Sequence, residues 1–461
     1  MSASREAQAG VVDELTDELG ADVVRTSDEQ REAYRYDWAR DPDAVLPLAV
    51  VLPRNVEQVQ ATMRWATRHG VFVIPRGAGS GLSGGASAQA GSIVLCLERM
   101  TAIAVDPATR TARAQAGALN ASVKQAAAEH GLWYPPDPSS FQISTIGGNV
   151  ATNAGGLCCV KYGVTVDYVL GLQVVLADGR LITLGGPRLK DVAGLPLIKL
   201  LVGSEGTLGI VTEVLCRLVP KLPEPATLVA IFETLTDAAR AVVATCATSR
   251  PSMVELIDNA SINAVEDHRA MGLDRAAGAM LLIQSDAAGE SRALELAAAR
   301  AACEEASATE IFETYDPDEG AMFVEARRAV FPALERLGAY MLEDVGAPVP
   351  LLPELVGGVA DIAAEHDLLI AVVAHAGDGN THPVIVYDAS NEDEKRRAAT
   401  AFTQIMELAL SLGGTITGEH GVGRLKQPLL SRQLGEDVMG LQHAIRKVWD
   451  PQGLLNPGAG Y

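Results

Sequence analysis

The stretch Pro75-Arg76-Gly77-Ala78-Gly79-Ser80-Gly81-Leu82-Ser83-Gly84-Gly85 is the most informative part of this sequence. Five of its eleven residues are glycine, and it follows an apolar run at residues 71–74 that predicts a buried strand. Glycine lets successive main-chain N–H groups approach a ligand and form an anion-binding concavity. Arg76 and the hydroxyls of Ser80 and Ser83 are suitable partners for phosphate. The stretch therefore predicts a pyrophosphate-binding loop, and the alternative is a tight turn between two strands.

Two further glycine-rich segments lie downstream of this first glycine loop (residues 75–85). Residues 144–156 contain Gly147-Gly148-Asn149 and Asn153-Ala154-Gly155-Gly156, and residues 203–209 read Gly-Ser-Glu-Gly-Thr-Leu-Gly. Such glycine clusters in separate loops of the chain favour one large ligand that is contacted by more than one loop. The glycine spacing matches neither the Walker A loop nor a G-x-G-x-x-G at the start of a helix. Neither a P-loop fold nor an ordinary nicotinamide-binding fold is therefore indicated.

Composition narrows the class of protein. The 461 residues are too many for one ordinary core and indicate about two to four domains. The net charge of −21 and the 4% aromatic content disfavour nucleic acid and anionic membranes as partners. No apolar run reaches the roughly 18 residues of a membrane-spanning helix, and the N-terminus lacks the apolar core of a secretory signal. We therefore predict a protein without a transmembrane segment.

The six cysteines indicate the cellular compartment. They form neither a disulfide framework nor a zinc-ligand pattern. We interpret them as reduced thiols of a cytoplasmic protein, with a redox role for the adjacent pair Cys158-Cys159 as the alternative.

The chain divides at a proline-rich junction, Pro220-Lys221-Leu222-Pro223-Glu224-Pro225. The first part is predicted to contain a strand at residues 45–52, a helix that Asn55 caps and Gly70 ends, and a later helix capped by Asn120. After the junction, short predicted strands alternate with alanine-rich helices, which is typical of a helix-covered sheet. We predict three parts: a helical lead-in over 1–44, a first domain over 45–222 and a second domain over 223–461.

His375 and His382 flank a tight predicted turn, Gly377-Asp378-Gly379, between two predicted strands. Across such a hairpin the two imidazoles can converge. Glu419 and His420 follow in another glycine-flanked loop. Two imidazoles and one carboxylate suit Zn²⁺, Mn²⁺ or Fe²⁺, and His420 would then be left as a base near neutral pH. The alternative is that both hairpin histidines are turn residues with backbone hydrogen bonds.

Together these motifs resemble the FAD-linked oxidases and dehydrogenases of the vanillyl-alcohol oxidase type. The resemblance is strongest to the branch with D-lactate dehydrogenase, D-2-hydroxyglutarate dehydrogenase and the D subunit of glycolate oxidase. It runs from about Val45 to Gly458. It rests on ordered motifs, namely the three glycine segments, Pro136-Asp137-Pro138, residues 375–382, Gly418-Glu419-His420-Gly421 and Gly453-Leu454-Leu455-Asn456-Pro457-Gly458.

The resemblance implies an α+β fold. An N-terminal FAD-binding domain has two α+β subdomains, and a C-terminal cap domain has an antiparallel sheet covered by helices. The last part of the chain, roughly 40 residues, is implied to return to the flavin domain. The residues that the resemblance places along FAD are Pro75, Arg76, Gly77, Ala78, Gly79, Ser80, Gly81, Leu82, Ser83, Pro136, Asp137, Ser140, Gly147, Gly148, Asn149, Thr152, Gly155, Glu205, Ile210 and Asn456.

The resemblance also assigns the chemistry. It makes His375, His382 and Glu419 the ligands of a divalent metal and His420 the catalytic base. The implied reaction is the oxidation of a 2-hydroxy acid, such as D-lactate, glycolate or D-2-hydroxyglutarate, to the 2-oxo acid. The metal lowers the pKa of the substrate hydroxyl, the base takes its proton, and the flavin takes the hydride.

Arg327 and Arg328 are the candidates for binding the substrate carboxylate. The alternative for each arginine is an exposed helix face.

Two departures from the family pattern matter. Relatives that tether the flavin covalently carry a histidine in the first glycine loop, where this chain has Ala78 and Ser80. We therefore predict non-covalent FAD. The second departure is Val349-Pro350-Leu351-Leu352, where relatives often have polar or basic residues, so the far end of the substrate is predicted to meet an apolar wall.

Rival functions remain open at this point. They are a metal-free flavin alcohol oxidase of the same fold, an FAD-binding subunit of a larger glycolate oxidase complex, and a metal-dependent hydrolase. A homodimer and a larger oxidase complex are both compatible with the sequence. The electron acceptor is unknown and is open among oxygen, a quinone, a cytochrome and a flavoprotein.

Overall fold

The computed structural model describes residues 2–461, with side chains from Gly10 onward. The chain folds into two compact units. The first unit contains the chain up to Ala154, Val164–Lys221 and Glu419–Tyr461, and the second contains Gly155–Gly163 and Leu222–Gly418.

The helices and strands are numbered in chain order. Before the proline-rich junction they are α1 (Ser2–Leu19), β1 (Val24–Arg25), α2 (Asp28–Glu32), β2 (Val50–Val51), α3 (Val56–His69), β3 (Phe72–Arg76), β4 (Ser92–Cys96), β5 (Ile103–Asp106), β6 (Thr111–Gln115), α4 (Asn120–Ala128), β7 (Leu132–Trp133), α5 (Ile146–Thr152), α6 (Cys159–Tyr162), β8 (Val169–Val175), β9 (Leu181–Gly185), α7 (Leu197–Leu201), β10 (Ile210–Arg217) and β11 (Val219–Pro220). Beyond it they are β12 (Ala226–Phe232), α8 (Leu235–Thr248), β13 (Met253–Asp258), α9 (Asn259–His268), β14 (Ala279–Ser285), α10 (Glu290–Glu305), β15 (Glu310–Thr314), α11 (Pro317–Arg328), α12 (Val330–Glu335), β16 (Ala339–Leu342), β17 (Val345–Gly346), α13 (Leu352–His366), β18 (Leu369–His375), β19 (Asn380–Tyr387), α14 (Glu392–Ser411), α15 (Gln427–Leu434) and α16 (Glu436–Trp449).

A four-stranded sheet with the order β1-β2-β4-β3 forms one part of the first unit, and its strands β2, β4 and β3 are parallel. Helix α3 begins where the Asn55 side chain accepts a hydrogen bond from Gln58 N, and it ends at the left-handed Gly70, as predicted. Its Trp65 is fully buried and donates to Val11 O at 3.1 Å. This contact ties α1 to the same core that α3 shares with the sheet.

A five-stranded antiparallel sheet with the order β5-β6-β10-β8-β9 forms the other part of the first unit. Strands β8 and β9 form an antiparallel hairpin at one edge of this sheet. Two local predictions were wrong. The strand predicted at 45–52 is only Val50–Val51, and Asn120 does not cap its helix, because its side chain instead donates to Pro136 O and Asn149 Oδ1.

The second unit is built on an eight-stranded sheet with the order β15-β12-β14-β13-β18-β19-β16, and β17 also pairs with β19. All of its pairings are antiparallel, which confirms the sheet type that the family resemblance implies. Helices α9 and α12 share a buried apolar cluster with residues of β13, β14, β18 and β19. The central strands β13, β18 and β19 are almost entirely buried, so any charged residue on them needs a partner inside the protein.

Two predictions from composition can be compared with the structure. All six cysteines carry free thiols. Within residues 2–461, no helix combines the length and the apolar composition that crossing a bilayer requires.

Candidate active site

The hairpin of β18 and β19 brings His375 and His382 together in the second unit. His375 ends β18 opposite Asn380, and His382 lies in β19 opposite Val373. The centroids of the two imidazole rings are 4.9 Å apart, and the rings are nearly perpendicular. Both side chains are buried, with 3% and 1% of their surface exposed. The convergence predicted from the turn is therefore present.

Each of these imidazoles has a buried carboxylate beside its Nδ1 atom. Glu255 Oε1 lies 2.7 Å from His375 Nδ1, and Asp344 Oδ1 lies 3.6 Å from His382 Nδ1. Both acids are fully buried. A carboxylate hydrogen-bonded at Nδ1 favours the tautomer whose lone pair is on Nε2, which is typical of metal-ligating histidines, and Glu255 provides this contact for His375. The 3.6 Å separation between Asp344 and His382 is longer than a hydrogen bond. The two imidazoles fit a divalent metal by the chemistry of their donors.

Arg327 belongs to the same buried cluster. Its Nε donates to Glu255 Oε2 at 2.7 Å, and only 1% of the residue is exposed. The ring of Phe331 lies 6.0 Å from the Arg327 guanidinium and 6.1 Å from the centroid of His382. Neither Nη1 nor Nη2 of Arg327 has a hydrogen-bond partner among the described residues. Buried donors without partners are costly, and a planar pair of N–H donors matches a carboxylate.

The other arginine candidate has a different environment. Arg328 is half-buried at the end of α11, whereas Arg327 is fully enclosed. The sequence alone does not show which of the two adjacent arginines faces the site, but their different burial distinguishes them. Arg327 is the one that the structure brings to the histidine cluster.

Asp344 also anchors the chain that leads to Glu419. Its carboxylate accepts from Thr417 Oγ1 at 2.7 Å and from Gly418 N at 2.9 Å. Gly418 is the last residue of the second unit, and Glu419 is the next residue along the chain. The acid beside His382 therefore also fixes the last residues of the second unit.

The three glycine segments converge within the first unit. A Cβ atom on Gly77 would lie 2.2 Å from Thr145 Oγ1, at the start of α5, and one on Gly206 would lie 2.7 Å from the ring of Pro75. The Asn456 side chain donates to Gly85 O at 2.9 Å and to Glu205 O at 2.8 Å. The C-terminal motif is therefore hydrogen-bonded to both the first and the third glycine segments. Side chains at Gly77 and Gly206 would occupy the space in which the neighbouring segments now lie. The segments and the tail thus form one cradle that fits a large cofactor.

The remaining predicted cofactor residues lie in the same unit, with Gly155 as the exception. The Arg76 guanidinium donates to Tyr36 O at 2.8 Å and lies beneath Gly79, so in this structure it braces the glycine loop. Asn149, in α5, accepts from Asn120 Nδ2 at 3.0 Å, and Asn120 also holds Pro136 O. The first unit also holds Ala78, Ser80, Gly81, Leu82, Asp137, Ser140, Gly147, Gly148, Thr152 and Ile210, whereas Gly155 belongs to the second unit.

Glu205 and Ser83 hold the loop that follows Glu419. The Glu205 carboxylate accepts from Val422 N and Gly423 N, both at 2.8 Å, and burial raises the pKa of Glu205 to about 7. Ser83 Oγ donates to His420 O at 3.1 Å. His420 Nε2 lies 3.9 Å from Glu419 Oε1. The main chain of His420 is thus fixed by the first and third glycine segments of its own unit.

Sequence reasoning missed Glu255 and Asp344. Glu255 is the one charged residue inside the apolar run Met253–Ile257, and this is the signal that could have identified it. An acid in the middle of a strand that reads as buried on both faces requires an internal partner. Asp344 carries no comparable signal, because it lies in the polar segment Glu343-Asp344 after a short strand.

Comparisons with known proteins agree with this architecture. Residues 47–185 match the family "FAD binding domain", and residues 222–459 match the family "FAD linked oxidases, C-terminal domain". Glycolate oxidase subunit GlcD of Bacillus subtilis is 40% identical over 97% of this chain and 96% of the relative. D-lactate dehydrogenase of Archaeoglobus fulgidus is 34% identical over 93% of this chain and 95% of the relative.

A solved structure shows the same fold. p-Cresol methylhydroxylase with substrate bound has a TM-score of 0.79 at 19% identity, over 97% of this chain and 96% of that chain. This shared fold confirms the α+β fold class predicted from the motifs. The chain therefore belongs to the FAD-linked oxidases, which are flavin-dependent oxidoreductases.

Proposed function

We propose that this protein oxidises a 2-hydroxy acid to the 2-oxo acid with FAD and a divalent metal. The observation that carries the proposal is the buried Arg327, whose two Nη donors lack partners and whose Nε shares Glu255 with His375. Through Glu255, an arginine suited to binding a carboxylate is connected to one of two histidines suited to binding a metal. The names of the relatives, a glycolate oxidase subunit and a D-lactate dehydrogenase, support the same substrate class.

The residues have separate roles in this proposal. Arg327 binds the substrate carboxylate through Nη1 and Nη2. His375, His382 and Glu419 hold the metal, which supplies Lewis-acid polarisation of the substrate hydroxyl when bound. His420 takes the hydroxyl proton as a general base. FAD, held by the glycine segments of the first unit, would supply the acceptor for the hydride that leaves the substrate carbon.

The donor set limits the identity of the metal. Two imidazoles with one carboxylate suit Zn²⁺, Mn²⁺ and Fe²⁺, whereas Ca²⁺ and Mg²⁺ prefer oxygen ligands. We propose one of the first three ions. The six free thiols are consistent with the cytoplasmic location that we propose.

We propose that FAD is bound tightly but not covalently. Ala78 and Ser80 stand in the glycine loop where tethering relatives carry histidine. Acid precipitation of the yellow protein is therefore expected to release the flavin into the supernatant. Yellow colour that stays with the washed pellet would contradict non-covalent binding.

The substrate class is tested by bleaching of the flavin without oxygen. D-lactate or D-2-hydroxyglutarate is expected to reduce the bound flavin, and the matching L-enantiomer is not. Glycolate lacks the stereocentre and serves as a positive control for the substrate class alone. Preference for the L-enantiomer would contradict the D-specific assignment, and no bleaching by any 2-hydroxy acid would contradict the proposed function.

A further inference from the structure

We propose that Glu255 is a positioning residue that aligns a metal ligand and the substrate-binding arginine at the same time. This inference rests on the proposed function, because the two groups that it aligns are His375 and Arg327. One carboxylate oxygen accepts from Arg327 Nε at 2.7 Å, and the other lies 2.7 Å from His375 Nδ1. The spacing between metal and carboxylate receptor is thereby set by one side chain.

The position of Glu255 makes this double contact rigid. It lies in β13, and its Cα is directly opposite that of His375 in the adjacent strand β18. It also pairs with Leu282 of β14 on its other side. Glu255 is completely buried, so water does not compete for its oxygens. Strand pairing on both sides fixes the backbone of Glu255, and the two contacts occupy both of its carboxylate oxygens.

For His375, the contact selects the tautomer. An ionised Glu255 can only accept a hydrogen bond, so its contact with Nδ1 places the ring proton there and leaves the lone pair that can bind a metal on Nε2. Changes in such supporting groups typically weaken metal binding about 10–100-fold.

For Arg327, the contact selects which edge faces a ligand. Nε is used by Glu255, and the two Nη atoms that lack described partners remain for a carboxylate. Hydrogen bonds to charged groups contribute enough that a misaligned guanidinium should bind a carboxylate about 10-fold more weakly.

The informative substitution is Glu255→Asp. It keeps the negative charge but shortens the side chain by one methylene, so it cannot reach both donors from the same backbone. Zn²⁺ affinity is measured by competition with a chelator in FAD-loaded protein. Pyruvate affinity is measured from the flavin spectrum at saturating Zn²⁺. We expect Zn²⁺ binding to weaken about 10–100-fold and pyruvate binding about 10-fold.

A double-mutant comparison separates positioning from general damage. If Glu255 acts on the carboxylate through Arg327, Glu255→Asp should lower pyruvate affinity in the wild-type background but not further in Arg327→Gln. The matched control is Asp258→Asn, a buried acid of the same strand that accepts from Ser261 N and Val372 N. The control is expected to leave both affinities unchanged. An undiminished effect of Glu255→Asp in the Arg327→Gln background would overturn the inference.

The outcomes distinguish this inference from the proposed function. Wild-type protein that binds neither Zn²⁺ nor pyruvate would overturn the proposed function. Wild-type protein that binds both, with equal affinities in Glu255→Asp, would overturn the role of Glu255 alone. If Glu255→Asp does not fold, ¹⁵N NMR of the histidines in the wild-type protein tests the inference by reporting the tautomer of His375. The His375 signal is assigned by its absence from the spectrum of His375→Gln. The inference requires the Nδ1–H tautomer, and an Nε2–H tautomer contradicts it.

Discussion

Replacing His420 with alanine is expected to slow flavin reduction by a 2-hydroxy acid about 10²–10⁴-fold while FAD and metal contents stay unchanged. The effect is large because the variant removes the proposed acceptor of the hydroxyl proton. The main chain at this position should remain in place, since Ser83 Oγ holds His420 O and Glu205 holds Val422 N and Gly423 N. The measurement is single-turnover flavin reduction without oxygen.

The pH dependence of the same reaction gives a second test of His420. A base must be unprotonated, so the wild-type rate should fall as pH decreases through the pKa of the imidazole. This acid limb should weaken in His420→Ala. His443→Ala, an exposed histidine on α16 of the same unit, is the control and should keep both rate and profile. A wild-type rate in His420→Ala would contradict its role as the base.

Replacing His375 with alanine is expected to abolish stoichiometric metal binding while FAD is retained. His375 is one of two imidazoles whose rings lie 4.9 Å apart in the second unit, whereas the glycine cradle lies in the first. Loss of one of three ligands should reduce metal content strongly, and flavin reduction should be lost with it. Metal analysis and the flavin spectrum of the purified variant measure the two cofactors separately.

His268→Ala is the matched control for the metal prediction. His268 is an exposed histidine at the end of α9 in the same unit, so its loss should change neither metal nor rate. If His375→Ala keeps full metal and full rate, the hairpin histidines are structural and the metal mechanism is wrong.

Much of the fold followed from local pattern. The glycine segments, the capped helix α3 and the hairpin of β18 and β19 are short-range features, because each depends on residues within a few positions of one another. The strand predicted at 45–52 failed for a related reason. An apolar run does not show how much of it finds a partner strand, and only Val50–Val51 pair.

The candidate site was predictable only in part. His375 and His382 could be placed together from the turn between them. Glu255 could not, because it lies 120 residues from His375 and meets it through the pairing of β13 with β18. Asn120 was predicted as a helix cap, a local role, but its amide is used by Pro136 and Asn149 instead. Long-range strand pairing and buried amide contacts leave no periodic signal in the sequence.

The most direct measurement is the rate of anaerobic flavin reduction in the wild-type protein before and after metal removal. The substrate is D-lactate or D-2-hydroxyglutarate, whichever bleaches the flavin faster. A chelator should leave the protein yellow, because the glycine cradle in the first unit is untouched, but the flavin should no longer be bleached. Adding back Zn²⁺, Mn²⁺ or Fe²⁺ should restore the rate. An unchanged rate in metal-free protein would contradict the central claim that His375, His382 and Glu419 hold a metal needed for oxidation of the hydroxy acid.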